Sequence, residues 1–128
     1  WGEDYPSKLL IEADISSHQS FVVEEDGKIV GTFAFIIGED PTYQVIEKGA
    51  WRSTEPYGTI HRIASNGQVK GLAHQVFDFC YQEIPHLRID THADNKPMQA
   101  AILSYGFTEC GIIYVADGSP RLAYDYYR

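Results

Sequence analysis

The sequence predicts one α/β (α+β) domain built on a mixed, twisted sheet of about six to seven strands with helices on both faces. Three observations lead to this prediction. Residues 21–37 hold two runs of β-branched and aromatic side chains separated by Asp26-Gly27. Residues 58–91 alternate strand, helix and strand, and residues 95–127 hold a helix followed by two strands. At 128 residues, the chain is long enough to bury one core without disulfides or metals.

The first half of the chain predicts one short helix and one hairpin. Residues 6–15 begin with proline and are typical of a helix with an N-terminal start signal. The two strands of the hairpin are predicted over 21–25 and 28–37, because Asp-Gly is a strong signal for a two-residue turn. Residues 38–57 are predicted to form a long irregular loop that exposes Trp51.

The second half predicts four strands and two helices. The apolar residues between Val69 and Ile84 recur at the spacing of a helix that packs one face on a sheet. Gly106 follows the second helix as its C-cap. The predicted bounds are 95–105 for that helix and 58–64, 87–91, 107–115 and 122–127 for the strands. The strand–helix–strand unit should pair in parallel with a right-handed crossover, and the hairpins that flank it should be antiparallel.

Composition and charge argue against several classes of function. The chain has 18 acidic and 10 basic residues and a net charge of −8. This balance argues against a nucleic acid or an anionic membrane as partner and is compatible with a cationic acceptor such as an amine. No apolar run reaches the roughly 20 residues that a membrane helix needs. The histidines show no metal-ligand spacing, so no metal is predicted.

The two cysteines indicate the redox compartment, and the first residue bears on the extent of the domain. Cys80 and Cys110 lie among apolar residues and are predicted to be buried thiols in a reducing cytoplasm. The chain begins at Trp1 rather than at methionine, so we expect residues 1–128 to be a single domain truncated at its N-terminus.

The turn after the strand at 58–64 carries the pattern most informative about function. Residues 65–73 read Ser-Asn-Gly-Gln-Val-Lys-Gly-Leu-Ala and run directly into a helix. Backbone N–H groups at a helix start have no partner within the helix, and the helix dipole adds partial positive charge there. A turn of small residues lets a phosphate approach these donors. A bare turn that leads into a surface helix is the alternative interpretation.

The spacing Gln68-x-x-Gly71-x-Ala73 resembles the pyrophosphate loop of the GNAT superfamily of N-acetyltransferases. The segment 1–6 is similar to the loop that follows the first helix in many bacterial members. The resemblance covers the whole chain in order. It implies the GNAT, or acyl-CoA N-acyltransferase, fold, with the first strand and helix of that fold lying before Trp1.

A second signature supports the same resemblance. Residues 92–107 look like the family's asparagine followed by a helix that ends in Tyr-x-x-x-Gly-Phe. Asn95 and Gly106-Phe107 match this signature, whereas Ile102 stands at the position of the tyrosine.

The resemblance implies that the chain binds acetyl-CoA as acyl donor. Main-chain groups at the end of the strand would pair with the pantetheine arm, and amides of the turn would hold the pyrophosphate. The implied cofactor-binding residues are Ile63, Ala64, Ser65, Gln68, Val69, Lys70, Gly71, Leu72, Ala73, Asn95 and Met98. Lys70 adds charge near the phosphates or is a solvated loop lysine, and Asn95 can also serve as the N-cap of its helix.

The resemblance also implies direct attack of a free amine on the thioester, with a proton donated to the leaving thiolate. Because Ile102 stands at the usual tyrosine position, Tyr105 is the nearest substitute for this general acid, unless it only packs the helix end. His61 is a candidate general base, with a buried core histidine as the alternative. Other carboxylates that can accept the proton, through water if necessary, are Glu24, Glu47 and Glu55.

The predicted function is acetyl transfer from acetyl-CoA to a primary amine of a small molecule or peptide, by a cytoplasmic bacterial enzyme that can form a homodimer. The acceptor site is expected to be shaped by residues 1–17 and 38–57, including Tyr43 and Trp51. One alternative is a non-catalytic acyl-CoA-binding sensor, which Ile102 favours. Another is an unrelated α/β domain with a fortuitous loop.

Overall fold

A computed structural model of the chain describes residues 10–14, 17–67 and 71–127. The helices are α1 (Leu72–Glu83) and α2 (Lys96–Tyr105). The strands are β1 (Leu10–Asp14), β2 (Ser17–Glu25), β3 (Lys28–Ile37), β4 (Gly58–Ser65), β5 (His86–Thr91), β6 (Thr108–Tyr114) and β7 (Pro120–Tyr127). A single 3-10 turn at Pro41–Tyr43 interrupts the loop between β3 and β4.

The strands form one mixed sheet, which confirms the predicted fold class. Its order is β1-β2-β3-β4-β5-β7-β6. The strands β4 and β5 are parallel and are joined through α1, as predicted, while the other neighbours are antiparallel. The predicted turn between β2 and β3 is also confirmed, because Asp26 and Gly27 have φ values of 53° and 80°.

The predicted helix over residues 6–15 is wrong where the structure describes it. Residues 10–14 form β1, which pairs antiparallel with β2 through Ile11↔Val23 and Ala13↔Phe21. An isolated helix of this length has few hydrogen bonds and is marginal in water, whereas a strand gains a complete ladder from β2. Packing of Ile11 against the core adds to that preference. The remainder of the predicted helix lies outside the described residues.

Both described helices pack on the same side of the sheet, which we call the helix face. Phe77 of α1 and Ile102 of α2 belong to one buried cluster with Leu87 and Ile89 of β5. The expectation of helices on both faces is therefore not met by α1 and α2. Each helix needs an apolar surface, and on β5 the residues of the helix face are Leu87 and Ile89, whereas the alternate residues on the opposite face are polar.

The opposite side of the sheet, the loop face, is covered by residues 38–57. Its buried apolar residues are Tyr43, Tyr57, Ile113 and Ala123. The loop is irregular as predicted, but the prediction that Trp51 is exposed is wrong. Trp51 is half-buried against these residues, and its Nε1–H donates to the carbonyl oxygen of Tyr43 at 2.8 Å.

Two arginines fasten the loop to the sheet. The guanidinium carbon of Arg88 lies 4.1 Å from the ring centroid of Trp51 and 3.9 Å from that of Tyr57. Arg88 also donates to the carbonyl oxygen of Ser53 at 2.8 Å. On β7, the buried carboxylate of Asp125 accepts from Nε of Arg52 at 2.5 Å. The loop is thus held in one position over β5 and β7.

Both cysteines are buried free thiols, as predicted. Burial raises the pKa of the Cys110 thiol to about 12, and burial also raises the pKa of Cys80. A thiol with a pKa in this range stays protonated at neutral pH and is a poor nucleophile.

Candidate active site

The strands β4 and β5 separate part-way along their length. They pair only at Gly58↔Leu87, Thr59↔Arg88 and Ile60↔Ile89. Beyond that point a cleft of about 330 Å³ opens between them, which we call the splay cleft. Its lining includes His61 and Ile63 from β4, Asp90 from β5, Asn95 and Arg121.

A bulge in β4 determines the side of the sheet to which the side chains at the end of this strand point. Ala34 pairs with His61 and Thr32 pairs with Ala64, so Phe33 alone lies opposite two residues of β4. One of these, Arg62, has φ +55°, in the left-handed region. The extra residue resets the alternation of the strand, so that His61 points to the loop face while Ile63 packs on the helix-face core. Sequence alternation alone left the side of His61 open.

His61 has a carboxylate partner in the loop. Its Nε2 lies 3.1 Å from Oδ2 of Asp40, and both side chains are about one-fifth to one-quarter exposed, at 25% and 18%. The backbone N–H of Thr42 donates to Oδ1 of Asp40 at 2.9 Å. The N–H of Asp40 in turn donates to the hydroxyl oxygen of Tyr57 at 2.8 Å. His61 and Asp40 therefore form a fixed pair at the edge of the cleft.

A second carboxylate faces the cleft from β5. Asp90 is half-buried and accepts a hydrogen bond of 2.6 Å from the hydroxyl group of Tyr43. Burial, together with the negative charge of Asp90, holds the pKa of Tyr43 well above its usual range. Tyr43 thus remains a donor that orients Asp90, rather than an acid that gives up its proton.

The cleft continues along the helix face to the start of α1. This second part, which we call the helix-end cleft, has a volume of about 440 Å³. It brings together the predicted cofactor-binding residues Ile63, Ser65, Gly71, Leu72, Ala73, Asn95 and Met98. Ala64 lies in β4 between two of them, paired with Thr32. Gln68, Val69 and Lys70 lie outside the described residues.

The start of α1 is open to a ligand. Gly71 has φ +75°, a conformation that favours glycine, and as the N-cap residue it has no side chain that could bond the first turn of the helix. Gly71, Leu72 and Ala73 line the helix-end cleft, so the N–H groups of the first turn lie beside it. At α2, the predicted N-cap is confirmed, because Oδ1 of Asn95 accepts from the N–H of Met98 at 3.2 Å.

Residues 1–107 match the acetyltransferase (GNAT) family. The chain belongs to the GNAT acetyltransferase family. The splayed parallel pair and the open helix start are found in a chain whose sequence carries this family's pattern over most of its length. The alternative of an unrelated α/β domain is therefore wrong.

Solved structures agree with this membership. A GNAT-family acetyltransferase from Streptococcus agalactiae is 33% identical, with a TM-score of 0.77 over 86% of this chain and 65% of that chain. A Staphylococcus aureus protein named as an acetyltransferase is 25% identical, with a TM-score of 0.65 over 89% of this chain and 74% of that chain. This chain thus spans 65% of the length of the Streptococcus protein, slightly less than two thirds.

A more distant structure shares the fold alone. The aminoglycoside acetyltransferase AAC(6')-Ib, in complex with coenzyme A and kanamycin, is 18% identical, with a TM-score of 0.60 over 85% of this chain and 66% of that chain. None of the curated proteins matches the chain.

The GNAT domain does not bring Tyr105 to either part of the cleft. Its hydroxyl group donates to Oδ1 of Asp78 in α1 at 2.6 Å, and its ring packs against Phe77 and Tyr126. Burial and the neighbouring carboxylate raise the pKa of Tyr105. Ile102, at the tyrosine position of the signature, is fully buried in the core. Of the two interpretations of Tyr105, its position supports packing of the helix end and argues against a general acid.

The other candidate bases lie away from the cleft. Glu24 on β2 stands beside Glu12 on β1, and a hydrogen bond between the two carboxyl groups raises the pKa of Glu24. Glu47 accepts from the hydroxyl group of Tyr114 at 3.1 Å, next to β6. Glu55 contacts His86 through its backbone carbonyl, at 3.1 Å. None of the three glutamates lines either cleft.

Three polar residues of the site were missed in the sequence. Asp40 lies in the irregular loop, Asp90 in a strand that is otherwise buried, and Arg121 near the start of the last strand. An ionisable residue inside a strand that is otherwise buried is the one available signal, and it applies to Asp90. No signal in the sequence links Asp40 to His61, because the contact depends on how the loop folds back.

None of the helices among the described residues is long and apolar enough to cross a membrane.

Proposed function

We propose that this GNAT domain transfers an acetyl group from acetyl-CoA to a primary amine of a small molecule or peptide. The observation that carries the proposal is the separation of β4 from β5, which opens one continuous cleft from the start of α1 to the pair His61–Asp40. A donor bound from one side and an acceptor from the other would meet in that cleft.

The residues of the helix-end cleft fit an acyl-CoA donor. Among the described residues, the edge of β4 that faces β5 has no strand partner beyond Ile60, so its N–H and C=O groups are available to an extended ligand. The first turn of α1, entered through Gly71, would receive the pyrophosphate on backbone N–H groups. Ile63 and Met98 would pack along the arm, and Asn95 would stand beside it.

Acetyl-CoA would supply the acyl group: the neutral amine nitrogen bonds to the thioester carbon, the carbon–sulfur bond breaks, the sulfur leaves as a thiolate, and the nitrogen loses its second proton to solvent or to that thiolate. The protein must remove a proton from the acceptor ammonium before attack. His61 is the residue that we propose for this step. In the tautomer whose Nε2–H donates a hydrogen bond to Asp40, Nδ1 has a free lone pair. Nδ1 can then accept the proton from the amine.

Asp40 is a positioning residue in this scheme. It fixes the orientation of the His61 ring through the contact between Nε2 and Oδ2. Asp40 is itself held by Thr42 and Tyr57, so the pair is ordered before substrate binds. No dedicated acid is proposed for the leaving group, because a thiol with an ordinary pKa of about 8.5 can depart as the thiolate.

The proposal includes the compartment, the source and the oligomeric state of the protein. Two buried free thiols support a reducing cytoplasm. Similarity to acetyltransferases from Streptococcus agalactiae and Staphylococcus aureus supports a bacterial source. A homodimer is a further expectation, which sedimentation equilibrium of the purified chain would test.

The first experiment is calorimetric titration of the chain with acetyl-CoA. We expect binding by the parent and loss of binding in Gly71→Trp, where the side chain blocks the helix start. Ala73→Glu provides a second variant, because a carboxylate in the first helical turn is compatible with the helix dipole but repels a pyrophosphate. Gln82→Trp, an exposed position near the other end of α1, is the matched control.

Turnover is then measured as CoA released in the presence of a panel of primary amines. Failure of the parent to bind acetyl-CoA would overturn the proposal. Binding without acetyl transfer to any amine would favour the non-catalytic sensor instead.

A further inference from the structure

Three ionisable side chains line the loop-face side of the splay cleft on three neighbouring strands. His61 is on β4, Asp90 on β5 and Arg121 on β7, and all three line the cleft. The sheet register gives their common side. Asp90 pairs with Ala123 and Arg121 pairs with Ile113, and both partners belong to the buried cluster of the loop face.

The first two of these residues have hydrogen-bond partners, whereas Arg121, whose charge interacts with that of Asp117, has one buried donor without a hydrogen-bond partner among the described residues. His61 is held by Asp40 and Asp90 by Tyr43. The Nε atom of Arg121 is buried and has no hydrogen-bond partner among the residues that the structure describes. A buried N–H group of a guanidinium is costly to leave unpaired, so a ligand that accepts its hydrogen bond gains affinity.

Geometry and charge define what such a ligand carries. A guanidinium presents its donors in a planar fork that matches the two oxygens of a carboxylate. Asp90 lies opposite Ala123, two positions along β7 from Arg121, so Arg121 is a diagonal cross-strand neighbour of Asp90 at about 7–8 Å, and His61 lies one strand further away. A ligand of a few heavy atoms can therefore reach Arg121 while its amine remains near His61 and Asp90.

We propose that the acetyl acceptor is a primary amine that also carries a carboxylate, bound with the amine between His61 and Asp90 and the carboxylate on Arg121. This proposal rests on the proposed function and specifies its substrate class. The zwitterion matches the order of charges along the cleft, negative at Asp90 and positive at Arg121.

The same arrangement disfavours a polyamine as acceptor. Arg62, exposed in the bulge of β4, also lines the cleft. A second ammonium group extending from the reacting amine would thus meet the like charges of Arg62 and Arg121. The net charge of −8 belongs to the whole chain and by itself is compatible with a cationic acceptor. The part of the cleft wall beside Arg121 is instead positively charged.

The test uses matched pairs of acceptors that differ only in the carboxylate. Glycine, β-alanine and 4-aminobutyrate are each compared with the corresponding amide, with 1,4-diaminobutane as the polyamine. Initial rates at saturating acetyl-CoA give kcat/KM for each compound. We expect the parent to favour at least one carboxylate over its amide by about tenfold or more, mainly through KM.

The variants ask whether Arg121 is the source of that preference. In Arg121→Gln, the ratio of carboxylate to amide should fall to about one, and Arg121→Lys should restore part of it, because the charge returns without the fork. Lys28→Gln removes one positive charge at the β2–β3 turn, away from the cleft, and should keep the ratio of the parent. Thermal unfolding of each variant verifies that it is folded.

Two results would overturn the proposal while leaving the acetyltransferase function intact. One is equal acetylation of carboxylates and amides by the parent, and the other is a preference that survives in Arg121→Gln. Acetyl-CoA binding with no acetylation of any compound would be a failure of the proposed function itself, and the acceptor class would fall with it.

Discussion

The hydroxyl group of Tyr105 donates a hydrogen bond of 2.6 Å to Asp78, and this bond ties α2 to α1. The tyrosine thus serves the packing of the two helices on the helix face, at a distance in the fold from the pair His61–Asp40 on the loop face. Its role can be separated from catalysis by experiment.

Tyr105→Phe should lower the stability of the protein and leave turnover nearly unchanged. Loss of the hydrogen bond to Asp78 is expected to reduce the free energy of unfolding by about 1 kcal/mol. Urea denaturation measures this loss, and CoA release measures the rate. Tyr81→Phe, on α1 and packed edge-on against Tyr126, is the control. A large fall in kcat of Tyr105→Phe with unchanged stability would restore Tyr105 as the acid.

His61→Gln should lower kcat by about 10²- to 10⁴-fold, the usual contribution of a general base. Asp40→Asn keeps the imidazole but weakens its orientation, so we expect a smaller loss in kcat, about tenfold, with little change in KM.

Glu39→Gln is the matched control for Asp40→Asn, because it removes a neighbouring exposed carboxylate. Its kcat should equal that of the parent. Equal kcat values for Asp40→Asn and the parent would mean that the contact with His61 has no part in catalysis.

Arg88→Lys should destabilise the protein by about 2 kcal/mol. The lysine keeps the charge but cannot both stack between Trp51 and Tyr57 and donate to Ser53. Urea denaturation followed by tryptophan fluorescence reports the loss. Arg62→Lys, at an exposed arginine, is the control and should change stability little. Unchanged stability of Arg88→Lys would show that the stacking and hydrogen bond of the Arg88 guanidinium are not needed to hold the loop, which the Arg52–Asp125 pair also fastens.

Stability should fall as the pH is lowered through the range in which His86 titrates in the unfolded chain. Burial, followed by the charge of Arg88, lowers the pKa of His86 in the folded protein. The native state then binds fewer protons than the unfolded state, so the free energy of unfolding rises with pH. This contribution is fully present above the pKa of an unfolded histidine, about 6.5, and is lost progressively below it.

The measurement is urea denaturation at about pH 7.5 and about pH 5.5, on either side of that value. His86→Gln should show a smaller difference between the two free energies than the parent. His92→Gln, which removes an exposed imidazole, serves as the control. An identical difference in His86→Gln and the parent would contradict the role of His86.

The sheet could be predicted from the sequence where local signals agree with one another. Asp26-Gly27 specifies its turn through backbone conformation alone, and β4–α1–β5 combines a strand pattern, a helical period and a crossover. The prediction of a helix was wrong for residues 10–14 because the apolar residues of this segment are compatible with either a strand or a helix. The free edge of β2 decided between these, and that edge is a tertiary feature.

The candidate site could be predicted on its donor side but not on its acceptor side. Gly71 and Asn95 stand in local patterns with a spacing that can be read along the chain. The contacts of His61 with Asp40 and of Asp90 with Tyr43 join residues 21 and 47 positions apart. No local pattern encodes such contacts, and the bulge that turns His61 toward them has a non-glycine residue at its left-handed position.

The bulge at Arg62 makes the two halves of the site separable. Because His61 and Ile63 lie on opposite sides of the sheet, a substitution beside His61 alters the acceptor wall without disturbing the side chains that would lie along the donor. A regular strand would place both side chains on one side, and a change in one would then affect the other. One inserted residue thus allows acceptor choice to vary while donor binding is retained.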